Sequence, residues 1–141
     1  MTTLNPGIYY VTGVIDIDNL SGTGVMIYLT GAGQLTSSGN NKALHLTAPT
    51  SGPYTGIAIF QDPANALNWD VKNQFTIDVS GAIYMPGVDV EFKNALTFTL
   101  TNCTLFLAKS LTIKNGNGAL SNAGCGAAFG GAAFLTVSIA Q

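Results

Sequence analysis

An all-β chain wound as a parallel β-helix, or β-solenoid, of about five coils is predicted by three features of this sequence. Asparagine recurs as Asn19, Asn40, Asn73, Asn94 and Asn115, at intervals of 21, 33, 21 and 21 residues. The residues before each asparagine alternate between apolar and polar, which is the period-2 pattern of a half-buried strand. The composition is 47% hydrophobic and 9% charged with 17 glycines, enough for a core and many turns but poor in helix-forming runs. By length the chain is one domain. Coils are expected at about 4–23, 24–55, 56–80, 81–101 and 102–118, with a Gly/Ala-rich tail and capping strand at 119–141.

Each element follows from the asparagine frame. Four residues before the asparagines stand Ile15, Thr36, Trp69, Val90 and Leu111, and two before them stand Ile17, Ser38, Val71, Phe92 and Ile113; these are expected inward. The intervening Asp16, Ser37, Asp70, Glu91 and Thr112, with Asp18, Gly39, Lys72, Lys93 and Lys114, are expected outward. A second strand is marked by an aliphatic-aromatic pair in every coil: Ile8-Tyr9, Ile27-Tyr28, Ile59-Phe60, Ile83-Tyr84 and Leu105-Phe106. A third follows the later asparagines, where Phe75, Ile77 and Val79 match Leu96, Phe98 and Leu100, while Thr76, Asp78 and Ser80 match Thr97, Thr99 and Thr101. Coils of three such strands stack about 4.8 Å apart. Asparagine suits their corners because it tolerates left-handed backbone and its amide can bond to the equivalent amide one coil above. The five asparagines are therefore read as a structural ladder and not as catalytic groups.

The interval between Asn40 and Asn73 exceeds the others by 12 residues. Its most turn-like stretch, Ala48 to Gly56, is expected to bulge from one corner without disturbing the stack. After Asn115 the chain is rich in Gly, Ala and Ser and ends in an alternating run, Phe134 to Ile139, suited to cover the terminal edge. Cys103 and Cys125 allow one disulfide, which would pin that tail and suit an extracellular or periplasmic setting; two buried free thiols are the alternative. No apolar stretch approaches the ~20 residues of a membrane helix. The start, Met1 to Pro6, lacks the basic and apolar regions of a signal peptide, so a mature fragment or recombinant domain is expected, with no membrane insertion.

Functional chemistry is sparse. Five lysines, one histidine, no arginine and a net charge of −2 argue against nucleic acid and phosphate. Lys72, Lys93 and Lys114 form an outward column beside Asp70 and Glu91, the pattern of a solvated face. No metal-ligand spacing or phosphate loop occurs, so neither metal nor cofactor is expected. The pairs Asp16/Asp18 and Asp89/Glu91 are weak calcium candidates, because calcium recruits several oxygens from a loop. His45, Asp78 and Thr99 share one outward column and Thr47, Ser80 and Thr101 the next, which brings His45, Asp78 and Ser80 near one another. A hydrolytic triad also needs oxyanion donors and a substrate pocket, which an open strand face lacks. The chain is expected not to be an enzyme, and no residue is given a catalytic role.

The aromatic column is the stronger lead. If Ile27, Ile59 and Ile83 point inward, then Tyr28, Phe60, Tyr84 and Phe106 form an outward stripe, and with Tyr9 they are the interface candidates. Periodicity leaves open the reverse parity, in which the aromatics are core, or a tail that covers them.

Gly24-Val25-Met26-Ile27-Tyr28-Leu29-Thr30-Gly31, the long segment from Leu46 to Asp62, and Ser80-Gly81-Ala82-Ile83-Tyr84-Met85-Pro86 resemble the C-terminal region of TadG-like proteins of the Tad (Flp) pilus-assembly group. The resemblance spans roughly residues 4 to 115, and the proline-containing segment is its most specific part. It implies a bacterial cell-surface, cell-envelope or secreted setting and no reaction. In that family an N-terminal membrane segment anchors the protein.

Together these features lead to the expectation of a structural or adhesive surface module that associates with itself or with other envelope or pilus proteins. A glycan or surface-ligand binding module is the alternative. An ice-binding face on Thr97, Thr99 and Thr101 and a polysaccharide-active enzyme rank below it.

Overall fold

The computed structural model describes residues 1–72, 74–92, 97–98 and 104–114. Among these residues the chain is all-β. The strands are β1 (Thr2–Leu4), β2 (Gly7–Val11), β3 (Val14–Asp16), β4 (Leu20–Thr23), β5 (Val25–Leu29), β6 (Gln34–Thr36), β7 (Ala43–Thr47), β8 (Ile57–Gln61), β9 (Thr76–Phe92), β10 (Thr97–Phe98) and β11 (Thr104–Ile113).

Every strand pair is parallel, and the pairs fall into three ladders. The first runs β1–β4–β7 onto the first part of β9 and then β10. The second runs β2–β5–β8 onto the later part of β9 and then β11. The third is β3–β6, extended by a bridge from Thr36 to Asp70. Because β9 belongs to two ladders, it joins them into one curled sheet in the order β1-β4-β7-β9-β8-β5-β2. The curl turns at Gly81, whose φ is +138° and whose added Cβ would lie 2.6 Å from Ala48 Cβ and 2.9 Å from the Gly56 carbonyl oxygen. A residue with a side chain is excluded there by both the backbone conformation and the space.

Alternation along each strand fills the inside of the curl. In β7, Leu44 and Leu46 are buried while Ala43, His45 and Thr47 are half-buried. Leu20, Leu44 and Ile77 are buried in the first ladder, and Ile27, Ile59 and Ile83 in the second. Leu35, Trp69, Val71 and Phe92 close the core from the third side. Burying this contiguous apolar surface is the main stabilising term, since parallel ladders alone do not specify which face is inside.

The corners differ from the predicted asparagine ladder. Left-handed backbone occurs at Asn19 (φ 59°), Asn41 (φ 57°) and Gln74 (φ 60°). Asn40 is an exposed neighbour of the corner, and Asn73, Asn94 and Asn115 lie outside the described residues. What the corner requires is one residue that accepts positive φ, and the second corner places it one residue later than the asparagine spacing suggests. That slip exchanges faces: Leu35 and Ser37 are buried, whereas Thr36 pairs with Asp16 and Ser38 is exposed. Among the described residues Asn19 bonds to no other corner amide; its Oδ1 accepts the backbone N–H of Ala43 at 3.0 Å.

The extra residues after Asn41 are divided between two turns. Pro49 to Gly56 closes on itself through the Gly56 N–H to the Pro49 carbonyl at 2.8 Å. Asp62 to Asn68 folds back inward, with buried Asn65 donating through Nδ2 to the Gly33 carbonyl at 2.8 Å. Cys103, Cys125 and the predicted tail and cap lie outside the described residues.

Candidate functional site

The second ladder sets Tyr10, Tyr28, Phe60 and Tyr84 side by side in register. Their ring centroids are 5.4, 4.9 and 4.9 Å apart in that order, with interplanar angles of 37°, 30° and 28°. Leu107 continues the row beside Tyr84. Of the five interface candidates, Tyr28, Phe60 and Tyr84 therefore share the outer face, whereas Tyr9 and Phe106 take the inner one, in register with Ile27 and Ile83. Tyr9 packs against the core and its hydroxyl donates to the Asn5 carbonyl at 2.9 Å. Phe106 stands edge-on to Phe92 at 6.2 Å and tilted against Trp69 at 6.4 Å. Both strands contain an aliphatic-aromatic pair that fits either parity. Tyr9-Tyr10 offers two aromatics in succession, and Leu105-Phe106-Leu107 offers apolar residues on both faces. Register then decides, and it shifts again where Pro86, Gly87 and Val88 of β9 stand opposite Lys109 alone.

The rings cover one another. Tyr28, Phe60 and Tyr84 are half-buried and turn their edges, not their faces, to solvent. Desolvation raises the pKa of the Tyr28 hydroxyl, with the Asp62 carboxylate and the neighbouring Tyr54 and Tyr10 adding to it. Each offset stack contributes about 0.5–1.5 kcal/mol beyond its burial. Only Tyr10, 64% exposed, keeps an open ring face.

Tyr10 lies on a larger feature. Among the described residues, β1, β2 and β3 each pair on one side only, with β4, β5 and β6. They follow one another with only Asn5-Pro6 and Thr12-Gly13 between them, so their free sides make one continuous edge. Four of the six large apolar side chains exposed among the described residues belong to it or precede it: Met1, Ile8, Tyr10 and Val14. Neither β1 nor β2 carries a charged residue, the usual device that keeps an edge from pairing.

A polar column crosses the outer face of the first ladder. Register places Thr3, Ser21, His45 and Asp78 in sequence. Thr3 Oγ1 and Ser21 Oγ share a hydrogen bond at 3.1 Å, and His45 Nδ1 lies 3.0 Å from Asp78 Oδ2. A shallow groove of about 210 Å³ runs along them. Ser80 falls in the neighbouring column beside Thr47, so the serine next to His45 is Ser21, a residue the asparagine frame did not align. His45 and Asp78 are the hydrogen-bonded pair of the column.

Most of the other described charges are in ion pairs on the surface. Lys72 is 3.7 Å from Asp70, Lys114 is 2.9 Å from Glu91, and Lys42 contacts Asp18. Ser38 holds the Asp16 pKa below the usual carboxylate value through its hydroxyl and its N–H. Ser110 and Lys109 do the same for Asp89, at 2.8 and 3.3 Å. Lys93 lies outside the described residues. No protein-family model, curated protein or solved structure matches the chain.

Proposed function

We propose that the curled sheet is a parallel β-solenoid of about five coils that acts as a non-enzymatic structural or adhesive module of a bacterial surface, associating with copies of itself through the β1–β2–β3 edge. The continuous free edge, apolar and without charge along β1 and β2, carries this reading. An edge of this kind offers unpaired N–H and C=O groups together with apolar side chains, and both are satisfied by further strands. The opposite side of the same strands defines what fits: β5 presents Tyr28 to Tyr10 and β4 presents Ser21 to Thr3. A second copy supplies strands of this character. The resemblance of Gly24–Gly31, Leu46–Asp62 and Ser80–Pro86 to TadG-like repeat regions supports the cell-surface setting.

A glycan platform on the aromatic row is the weaker reading, because its central rings already cover each other's faces. Size-exclusion chromatography with light scattering, followed by negative-stain microscopy, tests the proposal. Association should grow with concentration and be lost in an Ile8→Lys/Tyr10→Lys protein whose circular dichroism is unchanged. A monodisperse monomer at high concentration of the unmodified protein would overturn it.

A further inference from the structure

The third ladder is split. The chain at Trp69–Val71 is tied to β6 on one side, where the Asp70 N–H donates to the Leu35 carbonyl at 3.0 Å and Ser37 donates to the Asp70 carbonyl at 2.9 Å. On its other side, among the described residues, no strand pairing joins it to the end of β9. The Asn68 side chain spans the gap instead, its Nδ2 donating to the Glu91 carbonyl at 3.0 Å. The gap is a cleft of about 410 Å³ walled by Gln34, Asn68, Trp69, Asp70, Glu91 and Phe92. That volume falls within the range of small-ligand sites, about 300–1,000 Å³.

Two polar atoms of these wall residues are buried with no hydrogen-bond partner, the acceptor Asn68 Oδ1 and the donor Trp69 Nε1. Trp69 is only 3% exposed. Buried polar atoms are almost always bonded, so the unmet donor and the unmet acceptor of two neighbouring wall residues call for a group that can do both. Hydroxyls do both. Among the described residues, the carboxylates at the mouth, Asp70 and Glu91, are paired with Lys72 and Lys114, which favours neither an anion nor a cation. Phe92 and Trp69 add apolar walls for C–H groups. From this combination we infer that the cleft binds one ring of a neutral saccharide, with its hydroxyls bonded to Asn68 Oδ1, Trp69 Nε1 and the Asp70 carboxylate. This site is built by later strands than the free edge and does not depend on self-association.

Trp69 is the single tryptophan of the chain, so its fluorescence and its indole N–H resonance report on the cleft alone. Glucose, galactose, mannose and N-acetylglucosamine are titrated separately, with calcium chloride and sodium phosphate as the charged probes. The expected result is a saturable change in both Trp69 signals with at least one sugar and none with either salt. Asp70→Asn, with unchanged circular dichroism, should weaken that binding about tenfold or more, and Ile8→Lys/Tyr10→Lys should leave it intact. The inference is overturned if no sugar moves the Trp69 signals, if only calcium or phosphate does, or if Asp70→Asn binds sugar as well as the unmodified protein.

Discussion

Tyr10 and Tyr28 are the same residue type in the same column, 5.4 Å apart, yet they occupy opposite situations. Tyr28 has a ring on each side, is half-buried and has its hydroxyl pKa raised by desolvation. Among the described residues Tyr10 has a ring on one side only, and it is 64% exposed. In a parallel stack, position along the ladder decides what a side chain contributes. The middle stores stability, and the free edge stores unsatisfied contacts available to a partner.

The largest contrast is expected in the core. Ile83→Ala, in the middle of the second ladder, should cost about 2–5 kcal/mol in urea unfolding, whereas Ile8→Ala on the free edge should stay within about 0.5 kcal/mol. Equal losses at the two sites would break the distinction between middle and edge. Gly81→Val comes next, because it combines a φ that disfavours side chains with a clash against Ala48 and Gly56. It should destabilise by at least about 1–3 kcal/mol, with a lowered unfolding midpoint as the readout.

Smaller effects sharpen the comparison of the two tyrosines. Phe60→Leu removes two ring stacks and should cost roughly 1–3 kcal/mol, at 0.5–1.5 per stack. Tyr10→Leu should change stability little but reduce association by light scattering. The smallest effects are those of pH. Because the pKa of Tyr28 is higher folded than unfolded, its contribution is fully present below the unfolded value near 10 and is lost as pH rises through the folded value. Tyr28→Phe should therefore flatten part of the alkaline decline in stability. Asp89 has the opposite sign. Its lowered pKa contributes stability above the usual carboxylate value, and this is lost as pH falls through the folded value. Ser110→Ala should bring the Asp89 titration, followed by carboxyl NMR, back toward the ordinary range.

Much of the candidate surface was legible as columns and less of it as faces. Tyr28, Phe60 and Tyr84 were aligned by their aliphatic neighbours, and the structure places all three on the outer side. Tyr10 and Leu107 were passed over for Tyr9 and Phe106, one residue away in each case. The cleft at Trp69 had no sequence signal beyond a tryptophan at an inward position, because a gap between strands depends on which backbones fail to pair. Ser21 was invisible beside His45 because four additional residues lie between the β3–β6 register and the β4–β7 register.

By itself the sequence determined the all-β class, the parallel recurrence of strands and the apolar lining, since these rest on local alternation and on repeated composition. Only the tertiary structure decided which residue turns each corner, which aromatic faces out and where the ladders part. Those choices differ by a single residue of register. A one-residue slip reverses every side chain of a strand while leaving its local pattern almost equally good, so the packing of neighbouring strands has to choose.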